Sequence, residues 1–267
     1  MLEKALFIAS SQNPKVKHLL KLYKRRDRDK SGQFIVEGFR ELSRAIDNFV
    51  QIQQIFFCPE LFLGSNERSL LKRAGHAELF ECSKAVFEKL SYRDRPDGLI
   101  AVAKQLDLGL AQFEKSLPDN PFLVVAESIE KPGNLGTILR SSDAAGVDGV
   151  IVCDRCTDLH NPNVVRASVG TLFSHNLAEL AAAELAEFLK ERQIRIVAAT
   201  PDTDCLYTEA NLKGPIAIFV GTEQYGLSDT WMQFQRVRIP MKGQADSLNV
   251  ATATSLLLYE ALRQREA

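Results

Sequence analysis

The second half of the chain alternates between continuous apolar runs and segments with helical periodicity. The apolar runs, each bounded by turn residues, begin at Phe122 and read FLVVAE, GVIVCD, IRIVAAT and PIAIFVGTE. The intervening pattern predicts helices over 135–145, 164–173 and 178–192. Continuous apolar strands that alternate with helices are typical of a parallel sheet covered on both faces. We therefore predict an α/β unit with ligands at the carboxyl ends of its strands.

The first hundred residues predict a smaller α/β unit, in which strands and helices alternate less regularly. Its predicted strands lie at 34–36, 52–58, 78–82 and 98–102, and its predicted helices at 37–47, 65–74 and 83–90. The polar segment that follows ends in LPDNP and is typical of a linker. We therefore expect one domain over 1–104, a linker over 105–120 and a second domain over 121–267.

The last thirty residues predict a strand, a polar loop and a helix. Pro240 ends the strand because proline has no N–H to give to a sheet ladder. Ser247 precedes an apolar run, so we expect it to cap the helix. This helix is apolar or small on nearly every side until Arg263, which predicts that it is buried. The loop with Ser247 and Asn249 could hold a ligand rigidly, although an ordinary ending of an α/β domain has the same pattern.

Composition narrows the class of protein. A formal net charge of −1 argues against a protein that coats nucleic acid with its whole surface. Five scattered cysteines predict no disulfide framework, and the pair Cys153 and Cys156 has no second pair for zinc. The four histidines show no metal spacing, so we expect no metal. With no signal peptide in the first twenty residues and no stretch of membrane length, we expect a cytoplasmic protein and no membrane partner.

Positive charge is concentrated near the start of the chain. Residues 15–30 contain eight Lys or Arg against two Asp, with leucines interleaved. This pattern predicts a helix with one apolar and one basic face. The basic face is either merely solvated or contacts phosphates, and its concentration in a neutral protein favours phosphates. The residues expected to make these contacts are Lys15, Lys17, Lys24, Arg25 and Arg26.

Two further loops carry polar residues at predicted strand ends. In the first, Pro132 and Gly133 turn the chain and Asn134 is expected to cap the next helix. Arg140 follows among apolar residues, so it either lines a cavity or pairs with a core carboxylate. In the second loop, two glycines flank Glu223 at the end of a core strand.

Other catalytic patterns have little support in the sequence. No glycine-rich dinucleotide fingerprint follows the first strand of either unit, and no phosphate-binding G-x-x-x-x-G-K-[ST] occurs. The nucleophile elbow G-x-S-x-G is also missing. These observations disfavour a dehydrogenase, a nucleoside-triphosphatase and a serine hydrolase.

Three segments, in this order, resemble the three motifs of the SpoU (TrmH-type) branch of the SPOUT RNA methyltransferases. They are PGNLGTILRSSDAAG, GTEQYGLS and IPMKGQADSLNVATATSLLLYE, and the resemblance covers residues 121–267. It implies a trefoil knot, S-adenosylmethionine bound bent within the knot, a homodimer, and methyl transfer to a ribose 2′-OH of RNA. Residues 1–104, with FIVEGFRELSRAI, resemble the ribosomal-protein-like substrate-binding domain of ribosomal-RNA members.

The resemblance also implies roles for particular residues. The implied catalytic residues are Arg140, Asn134, Glu223, Ser247, Asn249 and Arg166, the last from NPNVVRASVGTLF. The implied cofactor-binding residues are Thr200, Phe219, Val220, Gly221, Ile239, Pro240, Met241, Ser247, Leu248, Asn249, Val250 and Ala251. Arg140 is either a general base or a stabiliser of the developing alkoxide, and a guanidinium that stays protonated favours the second role.

The chain departs from the family pattern at two positions, and two alternatives to the predicted function stay open. The second motif commonly has Asn and Gly around its Glu, whereas this chain has Thr222 and Gln224, so the geometry of that loop is open. The separate first domain favours ribosomal over transfer RNA as the substrate. A non-catalytic RNA-binding module that keeps the fold is the alternative from another class, and retention of Arg140, Glu223, Ser247 and Asn249 argues against it.

Overall fold

The computed structural model describes residues 5–267 and divides them into two compact units. The first unit comprises the described residues up to Leu106 together with Asp158–Ser174, and the second comprises Asp107–Thr157 and His175–Ala267. Residues 1–4, which fall within the predicted first domain, lie outside the described residues. Within 5–267 no helix combines the length and the apolar character that crossing a membrane requires.

Residues 5–267 form eleven strands and eleven α-helices, numbered here in chain order. The strands are β1 (Leu6–Ile8), β2 (Gln33–Glu37), β3 (Ile52–Phe57), β4 (Glu78–Cys82), β5 (Leu99–Lys104), β6 (Phe122–Glu127), β7 (Gly149–Cys153), β8 (Leu177–Leu180), β9 (Arg195–Ala199), β10 (Ile216–Val220) and β11 (Gln235–Val237). The helices are α1 (Pro14–Lys21), α2 (Arg25–Ser31), α3 (Phe39–Asp47), α4 (Glu67–Arg73), α5 (Lys84–Leu90), α6 (Leu110–Glu114), α7 (Pro132–Ala144), α8 (Pro162–Ala167), α9 (Ala182–Glu191), α10 (Asp229–Met232) and α11 (Val250–Glu266).

The first unit is built on a mixed sheet in the order β1-β4-β3-β5-β2. Strands β1, β4 and β3 run parallel, whereas β5 is antiparallel to both β3 and β2. One face of the sheet packs against α1 and α5, where Leu19, Phe56 and Phe87 are completely buried. The predicted α/β character of this unit is confirmed, and β1 is a strand that the sequence analysis did not predict.

The second unit is built on a sheet in the order β11-β9-β10-β6-β7-β8, and every neighbouring pair is parallel. Its central strands β6, β7 and β10 are buried along their whole length, as their continuous apolar sequences predict. The predicted parallel-sheet fold is therefore confirmed. The trefoil knot stays a prediction.

Two of the predicted helices were wrong in part. The helix predicted over 178–192 begins only at Ala182, because Leu177–Leu180 pairs with β7 as the edge strand β8. The helix predicted over 164–173 ends at Ala167 and is followed by a separate 3₁₀ turn over Thr171–Phe173. Val169 and Gly170 lie between α8 and the 3₁₀ turn, and both have positive φ. Two such residues are incompatible with a continuous right-handed helix.

The segment predicted as a linker contains α6 and packs with the second unit. Phe113 of this helix is completely buried and lies edge-on to Phe188, with ring centroids 6.1 Å apart. The backbone N–H of Glu179 also donates to the carbonyl of Leu108 at 3.0 Å. Because a buried aromatic anchors it, the segment from Asp107 is part of the second unit, whereas its polar composition predicted a linker.

Asp158–Ser174 packs with the first unit, although the sequence analysis placed it in the second domain. The side chains of Arg28 and Asp158 form a buried ion pair at 2.7 Å. The rings of Phe34 and His160 lie 4.8 Å apart, and Gly170 sits so close to the backbone of Glu41 that a Cβ would collide with it. These contacts join residues far apart in sequence, so no local sequence pattern predicts them.

The basic stretch forms two helices, α1 and α2, where the sequence analysis predicted one. Arg28 does not belong to an exposed face, because its guanidinium is buried against the carbonyls of Leu22 and Tyr23. Lys15 pairs with Glu78 at 2.8 Å. The remaining predicted RNA contacts, which stay predictions, are exposed: Lys17, Lys24, Arg25 and Arg26.

Candidate active site

Glu223 stands at the tip of a tight hairpin that follows β10. The backbones of Thr222 and Gly226 exchange two hydrogen bonds of 3.0 Å, and Gly226 has a φ of +68°. Gly221 has no room for a Cβ because the carbonyl of Gly226 lies against it. The hydroxyl of Thr222 accepts a hydrogen bond from the N–H of Tyr225 at 2.9 Å. Thr222 therefore closes the turn itself, which accounts physically for that departure from the family pattern.

The structure brings Asn134, Glu223 and Asn249 together, one from each of the three loops. Asn249 Nδ2 donates to Glu223 Oε1 at 2.6 Å and to Asn134 Oδ1 at 3.1 Å. Asn134 Nδ2 donates to the same Glu223 oxygen at 2.9 Å. Two amides that converge on one carboxylate fix each other's orientation, since each N–H has a defined acceptor. We call these three residues the amide–carboxylate cluster.

Helix starts position both amides, although not as the sequence analysis predicted. Asn134 does not cap α7, because the helix begins at Pro132 and Asn134 lies within its first turn. Ser247 does not cap α11, because Asn249 does so, with its Oδ1 accepting from the N–H groups of Ala251 and Thr252. Capping uses the oxygen of Asn249 and leaves its Nδ2 to donate to Glu223.

Lys131 is a member of the site that the sequence analysis missed. Its Nζ donates to Glu223 Oε2. This hydrogen bond raises the pKa of Lys131 and lowers the pKa of Glu223, whose carboxylate also accepts from Asn134. Glu223 therefore stays ionised at neutral pH. The sequence feature that could have pointed to Lys131 is its position directly before the Pro132–Gly133 turn.

A cavity of about 410 Å³ opens beside Glu223 at the carboxyl ends of β9 and β10. The predicted cofactor residues on its wall are Thr200, Val220, Gly221, Ile239, Met241, Ser247, Leu248 and Val250. Its size is within the usual range for small-molecule sites. A smaller cavity of about 260 Å³ lies at the same carboxylate and is lined by Lys131, Asn134, Glu223 and Val250, among others. The amide–carboxylate cluster therefore borders two cavities.

Buried Glu127, at the end of β6, supports the chain that follows the Glu223 hairpin. Its carboxylate accepts from the N–H and the hydroxyl of Ser228 at 2.8 and 2.6 Å, and from the indole of Trp231 at 2.9 Å. Cys153 and Asp154 lie close enough to Glu127 for the three to share a metal. However, both oxygens of Glu127 already have protein donors, and burial raises the pKa of the Cys153 thiol to about 12.

The other predicted catalytic residues are placed differently. Ser247 lines the larger cavity, and its hydroxyl lies 3.5 Å from Asp246. Arg140 was predicted to point into a cleft, but it is exposed on α7 and its side chain makes no ion pair or hydrogen bond within 5–267. Arg166 belongs to the first unit, where its guanidinium lies over the ring of Tyr92 at 5.9 Å. Among the remaining predicted cofactor residues, Phe219 is completely buried, and its ring is tilted by 42° against that of Trp231 with centroids 4.4 Å apart.

A parallel α/β sheet with a polar site and a ligand-sized cavity at its strand ends defines a ligand-binding α/β enzyme unit. The model of the SpoU rRNA Methylase family matches residues 121–259, and that of the MRM3-like substrate binding domain matches residues 13–101. The chain belongs to the SpoU rRNA methylase family.

Individual relatives match along nearly the whole chain. The 23S rRNA (uridine(2479)-2′-O)-methyltransferase of Streptomyces viridochromogenes is 29% identical over 90% of this chain and 86% of its own. The crystal structure of an RNA 2′-O ribose methyltransferase, 41% identical, superposes with a TM-score of 0.86 over 98% of this chain and 100% of that one. The SpoU methyltransferase AviRb from S. viridochromogenes, in complex with AdoMet, is 28% identical and superposes with a TM-score of 0.87 over 96% of this chain and 99% of that one.

Proposed function

We propose that this protein transfers a methyl group from S-adenosylmethionine to a ribose 2′-OH of ribosomal RNA. The observation that carries the proposal is the meeting of Asn134, Glu223 and Asn249 beside the larger cavity. The relatives named as RNA 2′-O-methyltransferases support the reaction. The match to a substrate-binding domain over residues 13–101 supports a large RNA substrate.

The larger cavity fits S-adenosylmethionine in its chemistry. Apolar side chains of Ile239, Leu248 and Val250 offer a wall for the adenine ring, and Thr200 and Ser247 offer hydroxyls. Residues at the ends of β9 and β10 line another part of it, as in other parallel sheets that hold ligands at their strand ends. The bound cofactor would supply a methyl group already activated by a sulfonium.

The amide–carboxylate cluster is suited to positioning the ribose in the smaller cavity. A carboxylate with a lowered pKa is a poor general base, so Glu223 acts by holding the two amides and Lys131 in place. Lys131 is exposed, and its Nζ offers a cation to a phosphate next to the target ribose. The protein then accelerates transfer mainly through orientation and charge.

The exposed faces of α7 and α11 support a homodimer. Leu256 and Tyr259 are 40% and 53% exposed, one helical turn apart on α11, and α11 packs against α7. The prediction that this helix is buried was therefore wrong for the side that carries Leu256 and Tyr259. Arg140 lies six residues after Asn134, a rotation of about 600° that puts the two side chains on different faces of α7. Arg140 is exposed on α7, so a second copy that packs on α7 and α11 would come close to its guanidinium.

The proposal is tested by incubating the purified protein with radiolabelled S-adenosylmethionine and unmodified 23S rRNA or transfer RNA. We expect label in ribosomal RNA, in dinucleotides that resist alkaline hydrolysis because their 2′-oxygen is methylated. Label in transfer RNA alone would favour the alternative substrate, and label lost on alkaline hydrolysis would contradict ribose methylation. We further propose that the protein acts in the cytoplasm, where ribosomal RNA is an accessible substrate.

A further inference from the structure

We propose that an arginine-lined groove in the first unit binds unpaired nucleotides of the RNA substrate; this inference rests on the proposed function. The groove encloses about 830 Å³ between the start of α3, the turn before α4, the loop after α5 and the segment around α8. All of its walls belong to the first unit. We call it the arginine groove. It is lined, among others, by Arg40, Arg93, Arg95, Arg166, Asp94 and Leu63.

Three of the arginines are available to a ligand. Arg40, Arg95 and Arg166 are exposed, and within 5–267 none of their side chains forms a hydrogen bond or an ion pair. The guanidinium of Arg166 rests on the ring of Tyr92. Of the acidic groove residues, only Asp94 is exposed. The accessible charge of the groove is therefore positive, which suits a phosphodiester chain.

The other acidic residues of the groove are buried and already have protein partners. Glu41 accepts from Arg93 at 2.9 Å, Asp97 accepts from the N–H of Phe39 at 2.8 Å, and Glu67 accepts from two N–H groups of the turn before α4. These carboxylates stabilise the walls and leave little negative charge at the surface. They explain why a groove with as many acids as arginines still presents mainly cations.

The groove is held in one shape by Arg93. Its guanidinium donates to the carbonyl of Glu37 at 2.6 Å as well as to Glu41. Gly38 has a φ of +113°, and a Cβ at this position would collide with the guanidinium of Arg93. The absence of a side chain at Gly38 therefore lets Arg93 join β2, α3 and the loop after α5. A wall fixed in this way loses little entropy when a ligand binds.

A flat, exposed surface beside these cations favours unpaired bases. Tyr92 is 58% exposed and stacks on Tyr23, with ring centroids 5.7 Å apart and an interplanar angle of 29°. Its contact with Arg166 adds a planar guanidinium to the same surface. Unstacked RNA bases bind on aromatic rings and guanidinium planes, whereas a duplex keeps its base faces stacked inside. Arg40 and Arg95 then contact phosphates on either side of the base.

The test compares full-length variants for binding to a fluorescein-labelled RNA hairpin with a loop of about ten nucleotides, within the range that single-strand sites cover. The groove variant is Arg40→Ala, Arg95→Ala and Arg166→Ala together. The matched control is Lys72→Ala, Lys84→Ala and Lys89→Ala, which removes the same charge from exposed positions of the first unit outside the groove. Fluorescence anisotropy is measured over a range of salt concentrations.

We expect the groove variant to bind the hairpin at least about tenfold more weakly, with a salt slope smaller by about two, because each lost phosphate contact removes about one unit. The control should stay within about twofold of the parent. Tyr92→Leu should reduce the preference for the hairpin over a blunt duplex of the same stem, and Tyr92→Phe should keep it.

Equal losses in the groove variant and the control would overturn the proposal, because net charge would then explain both. So would a groove variant that binds like the parent, or a parent that fails to prefer the hairpin over the duplex. Methyl transfer by the parent to 23S rRNA is measured in parallel. Its absence would contradict the proposed function, while the binding comparison decides on the groove in either case.

Discussion

Glu223 illustrates how a single carboxylate can organise a site without acting as a base. Its oxygens accept from Asn134, Asn249 and Lys131, so its charge is spread over three donors from two segments, the start of α7 and the start of α11. The hydrogen bonds from Lys131 and Asn134 favour the ionised form and lower the pKa of Glu223. The carboxylate is thereby committed to holding its neighbours and not to accepting a proton from substrate.

Lys131→Ala should raise the pKa of Glu223 towards its ordinary value, because the largest cause of the lowering is the hydrogen bond from Lys131. A lowered pKa contributes stability above the ordinary carboxyl pKa, and that contribution is lost as pH falls through the lowered value. In Lys131→Ala, protonation of Glu223 and the loss of this stability should therefore occur at a higher pH than in the parent. Carbon-13 NMR of the Glu223 carboxyl during a pH titration measures this shift. Lys131→Arg, which keeps a cation, is the control; an unchanged titration in Lys131→Ala would refute the assigned cause.

Arg140→Ala tests charge stabilisation at the reacting oxygen. If this guanidinium stabilises charge that develops only during transfer, its loss should lower the rate of methyl transfer by about 10² to 10³. Affinity for S-adenosylmethionine should stay nearly constant. Arg140→Lys should not restore the rate, because an ammonium lacks the planar fork. A folded Arg140→Ala protein within a few-fold of the parent rate would show that Arg140 has no catalytic role.

At the scale of elements, helix starts connect folding with the site. Asn249 caps α11 with its oxygen and holds Glu223 with its nitrogen. The two contributions can be separated, because serine caps helices about as well as asparagine but has no amide group.

Asn249→Ser should keep the stability of the parent within a few tenths of a kcal/mol, whereas Asn249→Ala should lose about 1 kcal/mol through the missing cap. Both variants should lose methyl transfer to a similar extent, since both lack the amide that donates to Glu223. Urea unfolding and a transfer assay on the same preparations measure the two effects. Normal transfer by Asn249→Ser would remove Asn249 from the catalytic machinery.

The sequence predicted elements well where a local pattern decides them. The strands β6, β7, β9 and β10 follow from continuous apolar runs, because such runs suit a sheet buried on both faces. Strand β8 was missed because LAEL merges into the alanine-rich start of α9, which has a helical pattern throughout. Its strand conformation depends on pairing with β7, a contact that no short window contains.

The candidate site was predictable to a similar degree. Motif resemblance identified Asn134, Glu223 and Asn249, which the structure brings into hydrogen-bonding distance. It did not identify Lys131, whose importance depends on the position of a carboxylate 92 residues away. It also assigned Arg166 to the active centre, which stays a prediction. The packing of its segment with the first unit was not predictable, because it depends on long-range contacts.

At the scale of the whole molecule, the ion pair between Arg28 and Asp158 is a structural requirement of the first unit. Both side chains are almost completely buried, at 2% and 4% exposure. Asp158→Ala should destabilise the protein by about 3–5 kcal/mol, because it leaves a buried guanidinium without its counter-charge. Arg28→Met combined with Asp158→Leu should recover most of this loss, since no unpaired charge remains. Urea unfolding of the full-length variants measures both; a loss below about 1 kcal/mol for Asp158→Ala would show that water satisfies Arg28.

The same ion pair has a consequence for synthesis on the ribosome. Residues up to Leu106 leave the exit tunnel before Asp158 is translated, although Asp158–Ser174 forms part of the same unit. The delay spans about fifty codons, which at about 5–20 residues per second lasts roughly 3–10 s. During this interval Arg28 has no carboxylate to receive it, so the nascent amino-terminal unit stays incompletely packed. A ribosome stalled before codon 158 would therefore present a chain that proteases cleave, and one stalled well after codon 174 would present a resistant one.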